Sequence, residues 1–125
     1  EMKYYRDVLC PAVESGEVTY FELQKKYELQ PKYTHNGKTV LPIIYVADFY
    51  MEFADGHIEV VDTKGCPDSV AKLKRKLFWY IYPDIDYKWI TYVQKWGGWL
   101  EYEVVKELRK EAKRNKNKKE EPDNG

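Results

Sequence analysis

The chain has 125 residues, which is the size of a single domain. Hydrophobic residues make up 43% and aromatic residues 16%, so the composition predicts a folded core and excludes an intrinsically disordered protein. Lys and Arg number 21, as do Asp and Glu, and the resulting net charge of zero excludes a strongly basic protein surface. Any surface that binds nucleic acid must therefore be local.

The few cysteines and histidines limit the chemistry of the chain. Cys10 and Cys66 lie far apart, and neither His35 nor His57 follows a cysteine at the spacing of a zinc site, which excludes a structural zinc and a disulfide framework. The sequence also lacks a nucleophile motif and a glycine-rich phosphate loop. No apolar run reaches the length of a membrane span, and no signal peptide is recognisable. We therefore expect a cytoplasmic protein with no membrane partner.

Apolar spacing and turn residues predict a mixed α/β domain. In chain order, the predicted elements are a helix over residues 1–14, one or two strands over 18–29, a turn at 35–38, strands over 43–53 and 58–64, a helix over 69–82, a strand over 87–93 and a helix over 99–113. Trp96 and Trp99 suit the core or a subunit contact better than base stacking. We expect the last ten residues to be frayed.

The helix over 69–82 has two predicted faces. Its apolar side is composed of Val70, Leu73, Leu77 and Tyr80 or Ile81. Its other side carries a basic run composed of Lys72, Lys74, Arg75 and Lys76. A run of charges is most often a solvated face, but near a phosphodiester site it can neutralise DNA phosphates.

The hairpin between the strands 43–53 and 58–64 decides where two acids lie. If its loop is Ala54-Asp55-Gly56, Phe53 faces His57 and Asp48 faces Asp62. A two-residue loop would instead place the two acids on opposite faces. Asp48 is flanked by apolar residues, so we expect it to be substantially buried and to need a partner.

The three-residue loop predicts chemistry at Asp48, Asp62 and Lys64. Two facing carboxylates destabilise a sheet unless a hard divalent cation such as Mg²⁺ neutralises them. Lys64, two residues after Asp62, points to the same face, where an amine can orient a water molecule or stabilise charge on a phosphate under attack. An exposed ion pair between Asp62 and Lys64 would explain the same spacing without catalysis.

Several blocks together carry a resemblance to a known family. Asp48 in YVADF, followed by Asp62-Thr63-Lys64 in VVDTKG, resembles the PD-(D/E)xK signature of restriction-endonuclease-like nucleases. With ELQPKY before them and KLKRKLFWYIYPD after them, these blocks are similar to a phage-borne family of small nucleases related to Holliday junction resolvases and endonuclease I. The resemblance covers residues 1–92. It implies a restriction-endonuclease-like core, a central mixed β-sheet flanked by helices, as a nuclease domain over 1–105, with the end of the last helix and a charged tail over 106–125.

The resemblance also implies roles for particular residues. Asp48, Asp62 and the backbone carbonyl of Thr63 would bind Mg²⁺ or Mn²⁺, and Lys64 would be the catalytic lysine. Glu1 matches the acid that the superfamily places on its first helix to complete the metal site, although the helix macrodipole alone also favours an acid there. Glu28 and Gln30 match a strand position that lines the site in similar nucleases.

The function implied is that of a metal-dependent DNA endonuclease in the bacterial cytoplasm, encoded by a phage or prophage. The small size and the lack of a sequence-reading domain favour selection of DNA by shape, such as a branched junction, by a homodimer. The alternatives are a linear-duplex or single-strand nuclease of phage DNA metabolism and a non-catalytic module that binds DNA or protein.

Overall fold

A computed structural model describes residues 1–120 as a mixed α/β fold with a five-stranded central sheet flanked by helices. The strands are β1 (Val18–Gln30), β2 (Tyr33–His35), β3 (Lys38–Val40), β4 (Ile43–Phe53), β5 (Ile58–Thr63), β6 (Asp86–Val93) and β7 (Gly98–Glu101). The main sheet has the order β1-β4-β5-β6-β7, and β2 and β3 form a separate hairpin. Only the pair β5–β6 is parallel among these strands, so the sheet is mixed as predicted.

Among residues 1–120, three longer helical segments and one 3-10 turn, Gln94–Trp96, accompany the sheet. Helix α1 consists of an α-helical turn, Met2–Tyr4, a π-helical stretch, Tyr5–Leu9, and a second α-helical turn, Cys10–Glu14. Helix α2 (Ser69–Ile81) begins at Asp68, whose side chain accepts a hydrogen bond from the Ala71 N–H at 2.8 Å. Helix α3 spans Tyr102–Glu120. In residues 1–120, no helix has both the length and the apolar character needed to cross a membrane.

The two faces of the sheet bury separate clusters. On one face, Tyr4 and Leu9 of α1 pack against Phe49, Met51 and Val61. On the other face, Phe78 of α2 packs among aromatic rings and small residues, of which Tyr27, Tyr45, Ala47, Val60, Tyr87 and Trp89 are buried. Helix α3 joins this second layer because the Tyr102 ring meets that of Trp89 edge to face.

The predicted buried face of α2 is only partly correct, because Leu77 packs against the cluster around Phe78 but the other predicted residues are exposed. Val70, Leu73 and Tyr80 are exposed, and the inner face instead carries the fully buried Phe78 together with Arg75. The Arg75 guanidinium lies 4.0 Å from the centre of the Trp89 ring and also pairs with Glu103, at 2.7 Å. Arg75 can lie on the inner face of α2 because its guanidinium stacks on an aromatic ring, whereas hydrophobic periodicity alone predicts that a charged residue faces solvent.

The predicted helix over 99–113 differs at both ends. Gly97 and Gly98 have φ angles of +98° and +111°, so the chain reverses after Trp96 and residues 98–101 pair with β6 as a strand. The helix begins at Tyr102 and continues to Glu120 rather than ending near residue 113. Trp99 packs edge to face on Tyr4, as expected of a core residue. The predicted fraying falls partly on residues 121–125, which lie outside the described part of the chain.

Candidate functional site at the break between two strands

The hairpin register agrees with the three-residue loop. Backbone pairs join β4 to β5 from Glu52 and Ile58 as far as Phe49 and Val61, and the Phe53 N–H donates to the His57 carbonyl at 3.0 Å. Gly56, with a φ of +93°, takes the left-handed position that this loop requires. One step beyond the last pair, the same register places Asp48 opposite Asp62.

At Asp48 and Asp62, hydrogen bonds from backbone N–H groups to the two carboxylates take over from the backbone-to-backbone hydrogen bonds that join β4 and β5. The Asp48 N–H donates to Asp62 Oδ1 at 2.8 Å, and the Thr63 N–H donates to Asp48 Oδ2 at 3.0 Å. The Thr63 hydroxyl lies 3.2 Å from the same Asp48 oxygen. Each carboxylate therefore accepts a hydrogen bond from the opposite strand, which fixes both acids at the end of the β4–β5 ladder.

Burial differs between the two acids. Asp62 is only 1% exposed, whereas Asp48, which was expected to be substantially buried, is half-buried. Burial raises the pKa of Asp62, and the hydrogen bonds from Tyr45 and from the Asp48 backbone oppose that rise. The Lys64 amine, 3.5 Å from Asp62 Oδ2, also favours the ionised carboxylate.

A buried chain of hydrogen bonds leads to Asp62 from the neighbouring strand. The Trp89 indole N–H donates to the Tyr87 hydroxyl at 2.7 Å, which donates to the Tyr45 hydroxyl at 2.7 Å, which in turn donates to Asp62 Oδ2. A carboxylate can only accept, so Tyr45 uses its one O–H proton on Asp62 and must accept from Tyr87, which in turn accepts from the indole N–H. Tyr45 is consequently a fixed donor to Asp62, and burial beside this carboxylate raises the pKa of Tyr45.

Replacing Tyr45 by phenylalanine is expected to lower the free energy of unfolding of the metal-free protein by about 1.5–3 kcal/mol at pH 7, since a charged acceptor loses a buried donor. The pKa of Asp62 is raised in the folded state, so the stability it contributes is greatest at low pH and is lost as the pH rises through that pKa. The variant would raise this pKa further. The difference between the two proteins should therefore shrink as the pH falls from 7 toward 4. Urea unfolding across this range measures it, and a loss that is constant with pH would show that the hydroxyl does not favour the ionised acid.

Glu1 reaches the site through a residue that the sequence analysis did not identify. The Gln24 side-chain amide donates to Glu1 Oε1 and lies 3.4 Å from Asp48 Oδ1. Glu1 is thereby linked to Asp48 but separated from it by an amide group. Across residues 1–120, no three His, Cys, Asp or Glu side chains form a ready-made metal-binding group. The predicted metal ligands are therefore partly assembled, with Asp48 and Asp62 joined by hydrogen bonds and Glu1 one side chain away.

The residue types at Asp48 and Asp62 suit a hard divalent cation. Both present carboxylate oxygens, which are the ligands that Mg²⁺ and Mn²⁺ prefer. Thr63 contacts Asp48 through its N–H and its hydroxyl, and metal binding by its backbone carbonyl stays a prediction. A cation beside Asp62 would favour the ionised state that burial disfavours.

Glu28 and Gln30 lie farther along β1 than the site. Glu28 pairs with Ile44, and Gln30 pairs with Ile43. Ile44 comes four residues before Asp48 on β4, which corresponds to about 13 Å along a strand. The β1 side chain that contacts Asp48 is that of Gln24.

The predicted DNA-binding run on α2 divides into two pairs. Lys72 and Lys76 are exposed. Lys74 instead donates to the Ile44 carbonyl at 3.0 Å, and Arg75 is held between Trp89 and Glu103 with 15% of its side chain exposed. Because the inner face of α2 carries Arg75, this residue is a structural contact, and the basic surface is smaller than the sequence indicates.

Comparison with known proteins identifies a family. A family model described as a protein of unknown function, DUF1064, matches residues 1–98. The chain belongs to this family. The DUF1064 match extends from Glu1 through β6 and ends before α3, so it includes every predicted site residue. Comparison with curated proteins gives no match.

Two features of this DUF1064 site could not be recognised as motifs. Gln24 lies in a polar stretch with no distinguishing pattern, and its φ of +56° is not signalled by glycine or asparagine. Tyr87 and Trp89 alternate on β6, which does indicate a shared face, but their link to Asp62 depends on the parallel pairing of β5 with β6.

Proposed function

We propose that the protein is a metal-dependent endonuclease that hydrolyses DNA phosphodiester bonds and selects branched DNA. The observation that carries this proposal is the pair of hydrogen-bonded acids, Asp48 and Asp62, with the Lys64 amine 3.5 Å from Asp62. The resemblance to PD-(D/E)xK nucleases supports the same assignment independently of the geometry. We further propose that it acts in the bacterial cytoplasm as a phage or prophage protein.

The reaction assigns a role to each of these groups. Asp48 and Asp62, with Glu1, would hold Mg²⁺ or Mn²⁺, which supplies Lewis-acid stabilisation of charge on the phosphate oxygens. Lys64 is held by Asp62 at the edge of the site, where its amine orients the attacking water and stabilises the charge that develops on the phosphate. The water oxygen bonds to phosphorus, the bond from phosphorus to the 3′-oxygen breaks, and a proton released by the water, directly or through solvent, ends on that 3′-oxygen. The products are a 5′-phosphate and a 3′-hydroxyl.

A cavity beside Lys64 suits a phosphate next to the one attacked. It has a volume of about 280 Å³, and its lining includes Lys64, Lys74 and Tyr45. Lys74 uses one donor on the Ile44 carbonyl and so keeps donors for a phosphate oxygen. Lys72 and Lys76, exposed on the same helix, add positive charge that does not depend on base sequence.

The substrate is proposed to be a branched junction cleaved by a homodimer. Among residues 1–120 the fold is a five-stranded sheet with helices and a separate β2–β3 hairpin, and selection by DNA shape requires no element that reads base edges. Two active sites related by a twofold axis would cut two strands symmetrically. A second candidate, a non-catalytic module that binds DNA or protein, is favoured by one observation. Within the described residues, Glu1, Asp48 and Asp62 do not form a group of three that could already hold a metal ion.

The experiment is a Mg²⁺-dependent cleavage assay on a four-way junction, a flap, a linear duplex and a single strand of matched sequence. Symmetrical cleavage of the junction alone, by a protein that light scattering shows to be a dimer, is the expected result. Preferential cleavage of linear duplex or of single strand would show that the protein is a linear-duplex or a single-strand nuclease rather than one that selects branched DNA. Binding of the junction without cleavage of any substrate would favour the non-catalytic module.

Mg²⁺ is expected to stabilise the folded protein through the same acids. At one hundred times its dissociation constant, a ligand that binds only the folded state raises the free energy of unfolding by about 2.7 kcal/mol. Replacing Asp62 by asparagine should remove most of this gain because a buried ligand is lost. Urea unfolding in Mg²⁺ and in EDTA measures it.

Glu59 provides the matched control for this prediction. It lies on the same strand as Asp62 and pairs with Lys88 at 3.1 Å, away from the site. Glu59→Gln should keep the full response to Mg²⁺. Identical unfolding curves of the unaltered protein in Mg²⁺ and in EDTA would contradict a metal site at Asp62.

A further inference from the structure

Gln24 has an unusual backbone conformation for a residue inside a strand. Its φ is +56°, although the pairs on either side of it, Leu23 with Phe49 and Lys25 with Ala47, are intact. In residues 1–120, the only other residue besides glycine with a positive φ is Asn36, which lies in the turn between β2 and β3 beside Gly37. Turn geometry explains Asn36. It does not explain Gln24.

The conformation of Gln24 coincides with a change of face in both strands. Before this point, Tyr45 and Ala47 of β4 belong to the cluster under α2, and after it Phe49 and Met51 belong to the cluster under α1. Strict alternation would place all four on one face. The pairing register of β1 with β4 is the same before and after Gln24. Both strands therefore rotate together about their axes at Gln24 and Asp48, so that their side chains exchange faces of the sheet.

This turn places the Gln24 amide between two carboxylates. Its nitrogen donates to Glu1 Oε1 and lies 3.4 Å from Asp48 Oδ1. Both neighbouring atoms are carboxylate oxygens, which accept hydrogen bonds, so the amide nitrogen, and not its oxygen, faces them. The positive end of an amide dipole therefore stands where Glu1 and Asp48 would otherwise repel each other.

We propose that Gln24 is a positioning residue of the nuclease site, whose amide holds the Glu1 carboxylate beside Asp48 for use by a shared divalent cation. This inference rests on the proposed function. The strained backbone of Gln24 then has a role. Its left-handed conformation directs the side chain to Asp48, and its amide holds Glu1, at the start of α1, close to Asp48. Partners that hold ligands in place commonly change metal affinity by 10- to 100-fold when they are removed.

The test separates metal affinity from stability. Gln24→Gly relieves the positive φ and removes the amide, and Gln24→Asn tolerates the positive φ while carrying an amide too short to span both acids. Both variants should unfold at a temperature equal to or above that of the unaltered protein. Both should bind Mn²⁺ at least about tenfold more weakly in a calorimetric titration. Removing a residue with only a structural role would not weaken Mn²⁺ binding while leaving thermal stability intact.

Asn36→Gly is the matched control, because it relieves the other positive φ far from the acids. It should leave Mn²⁺ affinity unchanged. Gln24 variants with unaltered Mn²⁺ affinity, or with affinity and thermal stability lost together, would overturn the positioning role while the unaltered protein still binds metal and cleaves DNA. An unaltered protein that neither binds Mn²⁺ nor cleaves DNA would overturn the proposed function itself, and this inference with it.

Discussion

Replacing Lys64 by alanine is expected to lower the rate of Mg²⁺-dependent DNA cleavage by about 10²- to 10⁴-fold, the usual contribution of a positioned acid–base group. The Lys64 amine lies 3.5 Å from Asp62, and the methyl side chain of alanine cannot replace its charge. The fold should survive, because Asp62 keeps its hydrogen bonds from Tyr45 and from the Asp48 backbone.

Lys88 is a close control for Lys64. Both side chains are 27% exposed and both pair with an acid, but Lys88 contacts Glu59 and Asp86 rather than Asp62. Lys88→Ala should therefore keep the cleavage rate within about twofold while losing a similar ion pair. Equal rates for Lys64→Ala and the unaltered protein, measured on the same DNA, would refute the assignment of Lys64.

The largest expected effect on stability comes from Phe78. Replacing it by alanine should lower the free energy of unfolding by about 3–5 kcal/mol, since the residue is fully buried and its removal leaves a cavity. Its ring centre lies 4.4 Å from that of Tyr87 and 5.6 Å from that of Tyr45. Removal of the Phe78 ring would also leave the rings of Tyr45 and Tyr87, whose hydroxyls form the hydrogen-bond chain to Asp62, less firmly packed.

Urea unfolding of Phe78→Ala and Tyr80→Ala provides the comparison. Tyr80 lies on the same helix but is 85% exposed, so its replacement should change stability by less than about 0.5 kcal/mol. Similar losses in the two variants would show that α2 is not anchored through Phe78.

The strands of the sheet were predictable from local signals, which left two possible hairpin registers, and only the three-residue loop brings Asp48 opposite Asp62. Ala54-Asp55-Gly56 sets the loop length, Gly56 accepts the left-handed conformation, and the resulting register brings Asp48 to Asp62. Asn36 and Gly37 likewise determine the turn between β2 and β3. Turn chemistry of this kind is readable without knowledge of the tertiary fold.

The inner face of α2 and the contacts of Gln24 depend on tertiary structure instead. Arg75 counts as polar in any periodicity analysis, yet Trp89 on a distant strand gives its guanidinium a partner in the interior. Gln24 breaks the alternation of β1 without a glycine, and its contact with Glu1 joins residues that are 23 positions apart. No local pattern encodes either arrangement.

The most direct test of a metal-dependent nuclease at Asp48 and Asp62 is analysis of the DNA ends produced when the protein acts on a four-way junction in Mg²⁺ and in EDTA. We expect strand cleavage in Mg²⁺ only, with a 5′-phosphate and a 3′-hydroxyl at each cut, and loss of that product in Lys64→Ala. Cleavage that persists in EDTA, or the absence of any cut in the junction, a flap, linear duplex or single strand, would contradict a metal-dependent nuclease built on Asp48 and Asp62.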